Sequence, residues 1–192
     1  MLFGEKDLPA VRARGEGEPL VAECLTRLKA LAEAEDGKDT WARLEARALV
    51  WQLDRQPAMA ARAADLLAKC AAEDPVEFYR TAAFDDQADP LRAMALAWDW
   101  LFESLTPEKR KAVLAGLETW VRAAFDHAER QWWREASYNV GAIPVAGYGT
   151  LALAIRTSRW RLVKYPIERW TSATTSAKTG RMASSILRGS LP

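Results

Sequence analysis

The stretch DPLRAMALAWDWLFESLTPEKRKAVLAGLETWVRAAF, residues 89–125, decides the fold class of this chain. Its apolar residues recur every three or four positions in two runs, which predicts two amphipathic helices. Pro90 and Pro107 each stand at the start of a run, where proline favours the first turn of a helix. Trp98 and Trp100 lie on different faces of the first run. We therefore expect this helix to be buried from two sides.

The same helical spacing extends from Pro19 to Ile155, and no segment alternates with a period of two. Further helices are predicted at about 20–37, from Asp39 or Thr40 to 56, at 57–72 and at 138–155, with a short capped turn at 74–77. Connections of two to eight residues make sequence neighbours mostly antiparallel. The prediction is an all-α chain of layered, antiparallel helical hairpins, closely packed by the glycines of the last helix.

Composition excludes several classes of protein. The chain has 192 residues, 49% of them hydrophobic and nine of them Trp, which excludes disorder of the whole. No run of eighteen apolar residues occurs, so no membrane partner is expected. Cys24 and Cys70 lie in apolar helical patterns and are predicted to be free core thiols. Charged residues follow Met1 closely, so a chain that starts natively there carries no secretory signal and is expected in the cytoplasm.

The charge is divided along the chain. Residues 1–155 carry 19 Lys and Arg against 25 Asp and Glu, a net −6, whereas residues 156–192 carry 8 against 1, a net +7. The second part is rich in Ser, Thr and Arg and shows no periodicity. One interpretation is a disordered basic arm that binds an acidic partner or nucleic acid. The interpretation we favour is a shift of reading frame near Ile155, which gives an irregular C-terminal tail outside the fold.

The most distinctive stretch is QWWREASYNVG, residues 131–141. Two adjacent tryptophans cannot both face one core, so Trp132 or Trp133 is expected in a loop or cleft, where an indole can stack on a sugar ring. Arg134 can hold a carboxylate through its bidentate guanidinium. Asn139 can bond a ligand oxygen or cap a helix. A packed Trp133 and a simple capping Asn139 remain an equal alternative.

Motifs for other chemistries are missing from the sequence. There is no phosphate-binding glycine loop, no GxSxG motif and no Cys/His spacing for zinc, so no metal and no cofactor are expected. The only histidine is His127, near the end of the long predicted helix. A histidine there gains from the helix dipole, which favours a structural role over a catalytic one.

Three segments, in order along the chain, resemble the heparinase II/III-like and alginate-lyase-like polysaccharide lyases. Residues 2–14, LFGEKDLPAVRAR, are similar to the family motif LLF…DLPALRAR. Residues 97–110, AWDWLFESLTPEKR, are similar to YDWLYDxLTPEER and give the most specific match. Residues 132–155, from the tryptophan pair through YN to GYGTLALAI, are similar to NW/NH…GxxxLALAI. The resemblance covers residues 1–155 and stops there.

The resemblance implies part of an (α/α) toroid, which precedes a β-sandwich in longer relatives, and cleavage of uronic-acid polysaccharides by β-elimination. In the family an asparagine, often followed by histidine, neutralises the uronate carboxylate, and later Tyr and His residues transfer protons. Asn139 falls on that asparagine and is the predicted catalytic residue, whereas Val140 stands where the histidine is usual. Trp132, Trp133 and Arg134 are placed near the sugar path. Tyr138 is predicted to bind substrate and not to act as the base.

We therefore expect the N-terminal part of a polysaccharide lyase, inactive alone because the remaining proton-transfer residues and the rest of the ring lie beyond Ile155. The alternative is a non-catalytic helical module that binds an acidic polysaccharide or a protein. The expected partner is a uronate-containing polysaccharide, and nucleic acid is not expected. Helix faces left uncovered in a partial ring predict self-association.

Overall fold

The computed structural model describes residues 7–35, 39–82, 85–130 and 139–162. They form eight α-helices and one 3₁₀ turn: α1 Leu8–Gly17, α2 Pro19–Glu33, α3 Thr40–Asp54, α4 Pro57–Ala72, α5 Pro75–Thr81, the 3₁₀ turn Asp85–Ala88, α6 Asp89–Leu101, α7 Pro107–Arg130 and α8 Asn139–Leu162. No β-strand occurs in these four ranges. The all-α prediction is confirmed. The chain divides into two compact units, Met1–Ser158 and Arg159–Pro192, and the second is described only where α8 ends.

Helix starts follow the proline and capping signals of the sequence. Six of the eight helices have proline at the first or second position, among them α4 and α7. Asp74 caps α5, because its Oδ1 accepts a hydrogen bond from the Val76 backbone N–H at 2.9 Å. Thr106 caps α7 in the same way, with its hydroxyl 3.2 Å from the Lys109 backbone nitrogen. Asp39 departs from this pattern, since its φ is 63° and its side chain makes no capping hydrogen bond.

Three expectations about the N-terminal part need correction. Helix α1 was not predicted, and α2 ends at Glu33 and not near Gly37. Cys24 is exposed, so its prediction as a core thiol is wrong, whereas Cys70 is buried and both thiols are free. The reason is that α2 buries its C-terminal half, where Ala32 packs with residues of α3 and α4. The N-terminal half of α2 packs with α1, which buries only Leu8 and leaves Leu20 exposed.

Helices α3 and α4 form the central hairpin of the described structure. The two-residue connection of Arg55 and Gln56 joins them. Helix α3 packs against α1, α2 and α6, and α4 packs against α6 and α7. Helix α6 contacts this hairpin much more than it contacts its neighbour in sequence, α7. The helices therefore pack in layers across the α3–α4 hairpin and do not form a simple bundle of sequence neighbours.

Tryptophans and glycines set the spacing of these layers. Trp98 is fully buried and Trp100 is nearly so, which confirms that α6 is covered on two sides. At Gly116 of α7, an added Cβ would lie 2.2 Å from the Ala71 carbonyl oxygen, so α4 and α7 cross at close range. None of the helices in the described ranges is long and apolar enough to cross a membrane.

Helix α8 continues beyond Ile155, where the apolar pattern weakens, and ends at Leu162. The Thr157 hydroxyl donates to the Leu153 carbonyl at 2.9 Å within this extension. Leu151 and Ile155 are fully buried, whereas Leu153 is 63% exposed. The helix therefore buries the face that carries Leu151 and Ile155 and exposes Leu153 on another face.

Candidate functional site

The predicted site lies where α7 ends and α8 begins. Asn139 is the first residue of α8. Trp132, Trp133, Arg134 and Tyr138 lie outside the described residues, as does the side chain of Asn139. The described structure therefore fixes the two helix ends that flank the candidate segment, Arg130 and Asn139, and leaves the segment's own geometry as a prediction.

The start of α8 has the electrostatics that an anion requires. The first backbone N–H groups of a helix have no partner within the helix, and the helix dipole adds a partial positive charge at this end. A carboxylate at such an end accepts hydrogen bonds from those amides. Asn139 stands at this end, so its amide group and the backbone donors belong to the same turn.

Contacts further along α8 hold this helix in place. An added Cβ at Gly147 would lie 3.1 Å from the Cα of Ala88, so α8 approaches the 3₁₀ turn at close range. The ring of Tyr148 meets the ring of Phe125 edge to face, with centroids 6.4 Å apart. Gly147 lies two helical turns after Asn139, which sets the start of α8 about 12 Å along the axis from the contact with the turn.

Five aromatic side chains pack together beside α7 and are here called the aromatic cluster: Trp41, Phe78, Tyr79, Trp120 and His127. Phe78 lies 5.4 Å from both Tyr79 and Trp120, measured between ring centroids. Trp41 lies 5.8 Å from Trp120 in an edge-to-face arrangement. The cluster therefore joins the start of α3, the middle of α5 and the second half of α7.

His127 extends the aromatic cluster toward the candidate segment. Its ring is stacked on the Tyr79 ring, with centroids 5.0 Å apart and planes inclined by 21°. Trp120 and His127 are seven residues apart, so they share one face of α7. The helical spacing of Trp120 and His127 is visible in the sequence. The sequence does not show that Tyr79 of α5 contacts both of these rings.

Two polar groups of the cluster are buried without a hydrogen-bond partner in the described structure. They are the Tyr79 hydroxyl and the Trp120 indole nitrogen. Burial raises the pKa of Tyr79 far above its ordinary value, because the charged phenolate would lose its hydration. Tyr79 is therefore neutral across the physiological range, and only 7% of the residue is exposed. These properties fit a packing residue and not a group that exchanges protons with a substrate.

A second polar group of residues lies far along the chain from the candidate segment, at the end of α2. Its members are Arg43, Arg47 and Arg62, here called the arginine clamp. Arg47 donates to the carbonyls of Ala32 at 3.0 Å and Ala34 at 2.8 Å. Arg43 donates to the Glu35 carbonyl at 2.7 Å, and Arg62 to the Glu33 carbonyl at 3.2 Å.

Four successive carbonyls at the C-terminal end of α2, from Ala32 to Glu35, therefore each receive a guanidinium donor. A groove of about 410 Å³ beside the clamp is lined by Glu35, Arg47, Arg62, Asp65, Leu66 and Lys69. Arg62 also pairs with the Glu33 carboxylate, and Asp65 pairs with Lys109 at 2.6 Å. These partners belong to the fold. The arginine clamp holds α2 against α3 and α4, and the pair of Asp65 and Lys109 joins α4 to α7.

A second groove, of about 360 Å³, lies between α4 and α7. Its lining is mainly alanine, with Gly116 at its narrowest crossing and Glu73 at one end. Partial burial raises the pKa of Glu73. The described side chains contain no group of three or more His, Cys, Asp or Glu placed to hold a metal ion.

No known protein family, curated protein or solved structure matches this chain in comparisons of sequence and structure.

Proposed function

We propose that this chain recognises a uronate-containing polysaccharide at the junction of α7 and α8, as part of an (α/α) toroid of the polysaccharide lyase type. The observation that carries the proposal is the stretch from Trp132 to Asn139, which combines stacking indoles, a guanidinium and an amide. It ends at the first residue of α8, and the first backbone N–H groups of a helix have no partner within that helix.

The proposal draws on the ordered resemblance over residues 1–155 and on the layered helical hairpins of the described structure. Helical hairpins are the building units that a toroid requires. In the proposed site, the rings of Trp132 and Trp133 stack on the apolar faces of sugar rings, and Arg134 pairs with a carboxylate. Asn139 donates its amide N–H to the carboxylate of the sugar at the bond to be cleaved.

The chemistry that this arrangement serves is β-elimination. Neutralising the uronate carboxylate makes the adjacent C–H more acidic, because the charge that develops on the carboxylate in the transition state is then stabilised. A base takes that proton, the bond to the leaving oxygen breaks, and an acid protonates the oxygen. In this chain Asn139 and the first amides of α8 supply the neutralising part of the reaction.

The proton-transfer part has no assigned residue in this chain. Val140 stands where the resembling family usually has histidine, and His127 is the only histidine of the sequence. His127 is stacked on the buried Tyr79. These two observations favour a second candidate function, a helical module that binds an acidic polysaccharide and does not cleave it.

Equilibrium binding of the 192-residue chain to alginate, heparan sulfate and chondroitin tests the proposal. We expect binding to at least one polymer and its loss in Trp133→Ala and Asn139→Ala. Gln56→Ala serves as the control, since Gln56 is exposed in the connection between α3 and α4. Ultraviolet absorbance of unsaturated products separates the two functions, because only a lyase generates them. A wild-type chain that binds none of the polymers would refute both functions.

A further inference from the structure

We draw no further inference here: the strongest candidate, the uncharged exposed face of α8 that is formed by Ala146, Thr150, Leu153 and Thr157, carries no proposal because nothing in the described structure shows what covers it.

Discussion

Replacement of Arg47 by methionine is the most informative perturbation of the arginine clamp. Methionine keeps an unbranched apolar stem in a site where the arginine is only 5% exposed, and it removes the guanidinium. The carbonyls of Ala32 and Ala34 then lose donors at 3.0 and 2.8 Å. Ala32 is fully buried, so water does not replace the lost donor there without opening the packing of α2 on α3.

The expected loss follows from the two broken bonds. A hydrogen bond to a charged group contributes about 1.5–3 kcal/mol, and a buried acceptor without a donor carries a similar penalty. Packing of the apolar methionine side chain offsets part of this lost stability. We therefore expect the free energy of unfolding to fall by about 3–4 kcal/mol. That is a large share of the total for a domain of this size.

Urea unfolding followed by far-ultraviolet circular dichroism measures this change, provided that the slope with denaturant is the same in both chains. Arg14→Met is the matched control, because Arg14 is exposed and pairs with the nearby, exposed Glu18 at 2.7 Å. It should unfold like the wild type within error. An Arg47→Met chain as stable as the Arg14→Met chain would refute the view that the arginine clamp holds the end of α2.

Three further predictions concern packing and burial. Gly116→Ala should lower the free energy of unfolding by about 1–3 kcal/mol in the same urea assay, because the new Cβ meets the Ala71 carbonyl. Gly149→Ala should raise it by about 0.5–1 kcal/mol, because an added Cβ there has no other atom within 4 Å and alanine favours the helix. Tyr79→Phe removes a buried hydroxyl without a partner and should raise the thermal midpoint, and a lower midpoint would reveal a hydrogen bond to that hydroxyl. The pKa of Glu73 is raised in the folded state by partial burial, so the folded chain loses stability as the pH rises and this carboxyl ionises. Glu73→Gln should therefore stabilise the chain more at about pH 7 than at about pH 4. An equal effect at both pH values would contradict the burial argument.

The sequence predicted the helices well because their starts are encoded locally. Prolines and capping side chains such as Asp74 and Thr106 act within one turn, and the apolar period is visible without knowledge of the partner helix. Helix α1 was not predicted, because it buries only Leu8 and has almost no apolar face. Exposure of Cys24 escaped it because the pattern of α2 does not reveal which half is covered.

Contacts between distant helices could not be predicted from spacing. Arg43 and Arg47 are four residues apart and share a face of α3, but nothing local indicates that the end of α2 lies opposite them. The stack of His127 on Tyr79 likewise depends on how α5 docks on α7. The position of His127 near the end of a helix predicted a structural role through the helix dipole. The observed stack on Tyr79 is a separate physical reason for such a role.

The affinity of Asn139→Asp for alginate, compared with the wild type at the same low salt concentration, tests the proposed recognition most directly. Aspartate matches asparagine in size and is equally compatible with a helix start, so α8 should form as before. Its negative charge opposes a uronate carboxylate, and we expect affinity to fall by at least about tenfold. A wild-type chain that binds alginate and an Asn139→Asp chain that binds it equally well would contradict the placement of carboxylate recognition at the start of α8.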